Sequence, residues 1–140
     1  MPFSSLFAQG QKLYRILIVD DYTAAADGLA ELLNCFDIDA RAVYSGAEAV
    51  RVSREWLPHL VILDLCMPAM NGMETLCSLR SHPLTAPIPV VAITAWDNKI
   101  GPSGNERAQF AAILMKPLPL EYLLTIIEGY RPTKTVAGPA

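Results

Sequence analysis

Asp20, Asp21, Asp64, Thr94 and Lys116 are the residues of this chain whose types and positions could do chemistry together. Each follows a short apolar run: Ile16-Leu17-Ile18-Val19 before Asp20-Asp21, Leu60-Val61-Ile62-Leu63 before Asp64, Val90-Val91-Ala92-Ile93 before Thr94, and Ile113-Leu114-Met115 before Lys116-Pro117. A buried strand has no use for an unpaired carboxylate, which is costly to desolvate, so Asp64 either leaves the core or has a partner. Taken singly the residues are ordinary: Asp20 or Asp21 as a helix N-cap, Asp64 as a turn residue, Lys116 as a solvated lysine. Taken together they are not, because three carboxylates in one crevice repel each other unless a cation is present. A hard divalent ion, Mg²⁺ or Mn²⁺, relieves that repulsion and takes oxygen ligands. A carboxylate beside such an ion can attack a phosphoryl group and form an acyl phosphate, while the metal, a lysine ammonium and a hydroxyl neutralise the transferred oxygens.

The elements that must hold these residues can be read from the same runs. Five segments, 15–19, 38–44, 60–63, 89–94 and 111–115, are continuous apolar or β-branched stretches of strand length. Segments of helical period lie between them, the clearest being Ala25, Leu29, Leu32, Leu33 and Phe36 in the first and Leu120, Leu123, Leu124 and Ile127 in the last. Ser45-Gly46-Ala47-Glu48 has the form of a capping box that opens the second helix. Alternation of strands and helices with short connections implies an α/β fold with a parallel sheet covered on both faces. In such a sheet every strand delivers its last residues to one edge, where the polar groups above would meet. One region fits poorly: Gly101-Pro102-Ser103-Gly104 would break a helix begun at Asp97, which leaves an irregular loop and a short helix over 103–110. Residues 1–13 and 131–140 read as tails, with one domain over 14–130.

Composition narrows the function classes. A chain of 140 residues, 52% hydrophobic, can bury a real core, and a net charge of -3 gives no basic field for nucleic acid or an anionic membrane. No apolar run is long enough to cross a bilayer, and the first residues lack the pattern of a signal peptide, so a cytoplasmic location is expected. Cys35, Cys66 and Cys77 lack metal-ligand spacing with His59 and His82, and reduced packing cysteines are expected.

Four stretches, ILIVDD, LVILDLCMPAMNGME, VVAITA and ILMKPL, together resemble the receiver domain of two-component response regulators, including the chemotaxis type, over about residues 14–130. The resemblance implies a flavodoxin-like (βα)5 three-layer sandwich with strand order 2-1-3-4-5. It implies that Asp64 is the phosphoacceptor, loaded from a histidine kinase or a histidine phosphotransfer protein. It also implies that Asp21, Asp64 and the Cys66 backbone carbonyl bind Mg²⁺ directly, with Asp20 acting through water. Thr94 would bond to a phosphoryl oxygen, Lys116 would supply positive charge, and a cis Lys116-Pro117 peptide would aim the lysine. Met67-Pro68 and Asn71-Gly72 would form the loop after Asp64, with Gly72 at a positive φ.

Three positions depart from the family pattern. Ile113 stands where receivers commonly carry a switching Tyr or Phe, three residues before the lysine. The broken fourth helix lies on a common signalling surface, so output is expected through ordering of that loop or through another face. Trp96, two residues after Thr94, is placed either to shield an acyl phosphate from water or to pack on the surface. The expected function is a phosphorylation-dependent switch, stand-alone or from a hybrid kinase, whose output is contact with a further protein. Rival readings are a scaffold with the fold but no phosphorylation and a metal-dependent phosphatase with Asp64 as nucleophile. The phosphatase lacks a second acid, since Cys66 stands two residues after Asp64. A flavin-type cofactor site lacks a Gly-rich loop after the first strand.

Overall fold

A computed structural model describes residues 13–67, 70–95 and 108–132. Their order is β1 (Arg15–Val19), α1 (Thr23–Asn34), β2 (Asp39–Val43), α2 (Gly46–Trp56), β3 (Leu60–Asp64), α3 (Gly72–Arg80), β4 (Val90–Thr94), β5 (Ala112–Met115) and α4 (Leu120–Gly129). The five strands form one parallel sheet in the order β2-β1-β3-β4-β5. This is the flavodoxin-like arrangement expected, with two apolar layers made by alternation along each strand. Ile16 and Ile18 face a core shared with Leu33, Leu123 and Ile127 of α1 and α4. Leu17 and Val19 face the opposite core, shared with Ala49, Leu76 and Leu79 of α2 and α3.

Helix faces differ in detail from the pattern read in the sequence. The buried stripe of α1 is Ala26, Ala30 and Leu33. Ala25 is exposed, and Phe36, 44% exposed, lies beyond the helix end. At 3.6 residues per turn Ala25 is rotated by about 100° from Ala26 and cannot share its face. In α4 the stripe is Leu123 and Ile127, while Leu120 is exposed. The three cysteines are free and exposed, which corrects the packing role expected for them. Residues 108–110 form a turn, so the helix expected over 103–110 does not include its last three residues; its earlier part and Trp96 lie outside the described residues.

Two helix starts carry local chemistry. At α2, Ser45 Oγ accepts from Glu48 N at 3.1 Å, but the Glu48 carboxylate accepts from Tyr44 N rather than from Ser45 N, so the box is only half closed. The complete capping box is at α3: Asn71 Oδ1 accepts from Glu74 N at 3.0 Å and Glu74 Oε1 from Asn71 N at 2.9 Å. Gly72 therefore opens a helix and has no positive φ, contrary to expectation. Its need for no side chain is one of space. A Cβ there would lie 2.5 Å from Leu65 Cα and 2.9 Å from the Asp64 carbonyl oxygen.

Three polar clasps close the fold. Tyr14 Oη donates to the Ile127 carbonyl at 2.6 Å, and the Arg131 guanidinium lies over the Tyr14 ring while donating to Glu128 and to the Phe36 carbonyl. Arg80 donates to the carbonyls of Ala86, Ile88 and Gln109, tying the end of α3 to the approach to β5. On the edge strand β2, the Asn34 amide accepts from Ala40 N at 2.9 Å and donates to its carbonyl at 3.3 Å. No helix of the described residues is long and apolar enough to cross a membrane.

Candidate functional site

The C-terminal ends of β1, β3, β4 and β5 bring the five chemically able residues to one edge of the sheet. Asp64 is the last residue of β3 and is 4% exposed, so the strand carries its charge into the core rather than ending before it. The charge has partners: Asp64 Oδ1 accepts from Cys66 N at 2.9 Å, and Oδ2 lies 3.6 Å from Lys116 Nζ. Charge-assisted contacts of this kind offset the desolvation of a buried carboxylate.

Asp20 and Asp21 come from the end of β1. Neither is the N-cap of α1, a position held by Tyr22. Asp20 is half-buried and its Oδ1 accepts from Tyr22 N at 3.0 Å. Burial holds its carboxyl above the ordinary range; the Tyr22 N–H opposes this, and the Asp64 charge adds to it. Asp21 is exposed. One carboxylate oxygen from each of Asp20, Asp21 and Asp64 lies within 4.8 Å of the others.

Thr94 closes β4 with 3% of its surface exposed, and its Oγ1 is 3.7 Å from Cys66 Sγ. The Lys116 amide donates to the Thr94 carbonyl at 2.9 Å, which fixes the lysine beside the threonine, and the Lys116-Pro117 peptide is cis. Ile113 is half-buried against the α2–α3 core.

Sequence reasoning did not find the supports of this site. The Leu65 amide donates to the Ile93 carbonyl, and the Gly72 amide to the Leu65 carbonyl, so the segment after Asp64 is held by backbone from two sides. The Asn71-x-x-Glu74 spacing was the available signal for the second of these. Nor did it find a cavity of about 300 Å³ beside the acids. Ile18, Ile62 and Ile93 of the sheet, Ala25 and Leu29 of α1, and Leu118 line its apolar part. Asp20, Asp64 and Lys116 line its polar end.

Clustered carboxylates with no soft ligand among them suit a hard cation such as Mg²⁺, and one lysine against three acids leaves negative charge to neutralise. A carboxylate, a hydroxyl and an ammonium delivered to one edge of the sheet are groups that suit a phosphoryl group with its three outer oxygens.

Comparison with known proteins points the same way. Residues 16–128 match the response regulator receiver domain. Protein PilH of Pseudomonas aeruginosa is 30% identical over 115 residues, which are 82% of this chain and 95% of PilH. Response regulator GacA of Pseudomonas protegens is 34% identical over 120 residues, and there the matched part is only 54% of the relative's length. The solved structure of a CheY-like response regulator receiver domain from Methylobacillus flagellatus superimposes with a TM-score of 0.75 at 29% identity, covering 85% of this chain and 99% of that one. With this fold, this acid cluster and these relatives, the chain belongs to the receiver domain family of two-component response regulators.

Proposed function

We propose that this receiver is a phosphorylation-controlled switch in which Asp64 takes a phosphoryl group from a phosphohistidine on a histidine kinase or phosphotransfer protein. The observation that carries the reading is the pairing of a nearly buried Asp64 with Lys116 at 3.6 Å, beside two further carboxylates. An Asp64 oxygen attacks phosphorus, the P–N bond to the imidazole breaks, and the electron pair leaves with the ring nitrogen. Lys116 balances charge on the transferred oxygens. Thr94, whose Oγ1 lies 3.7 Å from Cys66 Sγ, donates its hydroxyl to one of them. The Cys66 amide holds the attacking carboxylate in orientation. Asp21, Asp64 and the Cys66 carbonyl would hold Mg²⁺, with Asp20 through water, and the ion supplies charge neutralisation that protein cations alone do not match.

The partner bearing the phosphohistidine meets the face of α1 and the loop after β3. There the exposed Ala24, Ala25 and Gly28 present a smooth surface next to Tyr22, itself 68% exposed. Output is contact with a further protein, and the chain catalyses only its own loading and discharge. A scaffold that never loads phosphate has no need of a buried acid held against a lysine, so that alternative is disfavoured.

The test is intact mass after incubation with Mg²⁺ and acetyl phosphate, with Asp64→Ala alongside. One added phosphoryl group, lost in base and absent from the variant, is expected. Absence of an adduct, together with failure to bind beryllofluoride, would leave the scaffold as the better reading.

A further inference from the structure

The cavity beside the acids is left over once the phosphoryl chemistry has been assigned. Phosphoryl transfer to Asp64 uses its carboxylate, Thr94 and Lys116, and has no use for an empty apolar volume walled by Ile18, Leu29, Ile62, Ile93 and Leu118. Close-packed interiors contain few such voids. This one opens on charged groups rather than being sealed. Its volume of about 300 Å³ is at the lower end of the range for small-molecule sites. At about 30 Å³ per non-hydrogen atom, a water's share of the liquid, it holds on the order of ten such atoms.

The chemistry of the two ends defines the ligand. The apolar end has three isoleucines from three adjacent strands and asks for a hydrocarbon or aromatic body. At the polar end the Asp20 and Asp64 carboxylates line the cavity, Asp21 stands within 4.8 Å of them, and Lys116 offers one positive charge already set against Asp64. Three carboxylates against one ammonium select a cation and reject an anion.

We propose that this cavity is a binding site for a small amphipathic amine, with its apolar body between α1 and Leu118 and its ammonium on the Asp20–Asp64 carboxylates. The ligand takes the negative charge that a divalent cation would otherwise neutralise, so amine and Mg²⁺ exclude one another. Under the function proposed above, the amine holds the switch in its unloaded form. The site itself is independent of that function, and its occupancy is read without any phosphodonor.

The probe is 2-phenylethylamine, followed by methyl NMR of Ile18, Ile62, Ile93 and Leu29 in Mg²⁺-free buffer, with 2-phenylethanol and 3-phenylpropanoate as matched neutral and anionic controls. Saturable shifts are expected with a dissociation constant in the millimolar range or tighter, the scale of ten-atom fragments. The alcohol should bind about fivefold more weakly and the propanoate about tenfold or more. Mg²⁺ should displace the amine competitively. Ala25→Leu, an exposed helix position that lines the cavity, should weaken both amine and alcohol about tenfold while leaving Mg²⁺ affinity unchanged. Asp20→Asn should remove the preference for amine over alcohol. The proposal is overturned if no saturable shift appears by about 10 mM, if the propanoate binds as tightly as the amine, or if a folded Ala25→Leu binds the amine unchanged.

Discussion

Lys116 Nζ stands 3.6 Å from Asp64 Oδ2, one positive charge set against three carboxylates whose oxygens crowd within 4.8 Å. The folded state therefore stores repulsion that a bound divalent cation would relieve. Asp21→Asn removes one of the repelling charges at an exposed position and should raise the melting temperature in EDTA. Mg²⁺ at a hundred times its dissociation constant should stabilise the unmodified protein by about 2.7 kcal/mol, or roughly 10 °C at about 4 °C per kcal/mol. The same Mg²⁺ should do much less for the variant. Thermal melts with and without Mg²⁺ decide this; equal melting temperatures for both proteins under both conditions would sink it.

Two glycines should respond to alanine with opposite signs. A Cβ on Gly28 meets nothing within 4 Å, so Gly28→Ala should stabilise α1 by about 0.5–1 kcal/mol through lower backbone entropy in the unfolded chain. A Cβ on Gly72 would lie 2.5 Å from Leu65 Cα, and relieving that overlap should cost about 1–3 kcal/mol. Because the same Cβ presses on the Asp64 carbonyl, Gly72→Ala should also slow phosphorylation. Urea midpoints of the two variants test the signs.

His59 should make the fold sensitive to mild acid. Its Nδ1 accepts from the Arg15 amide at 3.0 Å and its ring edges onto Tyr14. Burial first, and the Arg15 charge second, hold its pKa below the ordinary 6.5. The unfolded chain thus binds a proton that the folded one rejects. This contribution is complete above about 6.5 and is lost as pH falls through the depressed folded value. Asn at this position keeps an acceptor and does not titrate, so His59→Asn should flatten the fall in urea midpoint between about pH 7.5 and 5.5. An unchanged slope would assign the fall to other groups.

Asn34 should guard the open edge of the sheet. Its amide occupies both the N–H and the C=O of Ala40 on strand β2, the groups that a foreign strand would otherwise pair with. Asn34→Ala should lower stability by about 1–2 kcal/mol and promote self-association. Sedimentation at rising concentration checks it, with a purely monomeric variant counting against the guard.

The chemistry of the site was more legible in the sequence than its supports. Asp20, Asp64, Thr94 and Lys116 announced themselves because a polar residue directly after an apolar run marks a strand's end, and a parallel sheet sends all such ends to one edge. Helix faces were read less well: in α1 the small Ala26 and Ala30 carry the buried stripe, and the larger Phe36, which dominates any hydrophobicity pattern, lies outside it. The exposure of Cys66 could not be read either, since it depends on the turn that the Gly72 amide makes onto Leu65. The cavity had no signal at all. It is a space between Ile18, Leu29 and Leu118, and no residue type spells a gap.

The Tyr14–Ile127 clasp ties residues 113 positions apart, joining the start of the interior strand β1 to the helix α4. During translation β1 emerges from the ribosome long before its cover does. Its Ile16 and Ile18 share a core with Leu33 of α1 and with Leu123 and Ile127 of α4, so that face is only partly covered, by α1, until α4 clears the exit tunnel. The nascent chain can pair strands early but cannot finish burying this surface, and a stall before α4 would leave a sticky intermediate for chaperones to hold.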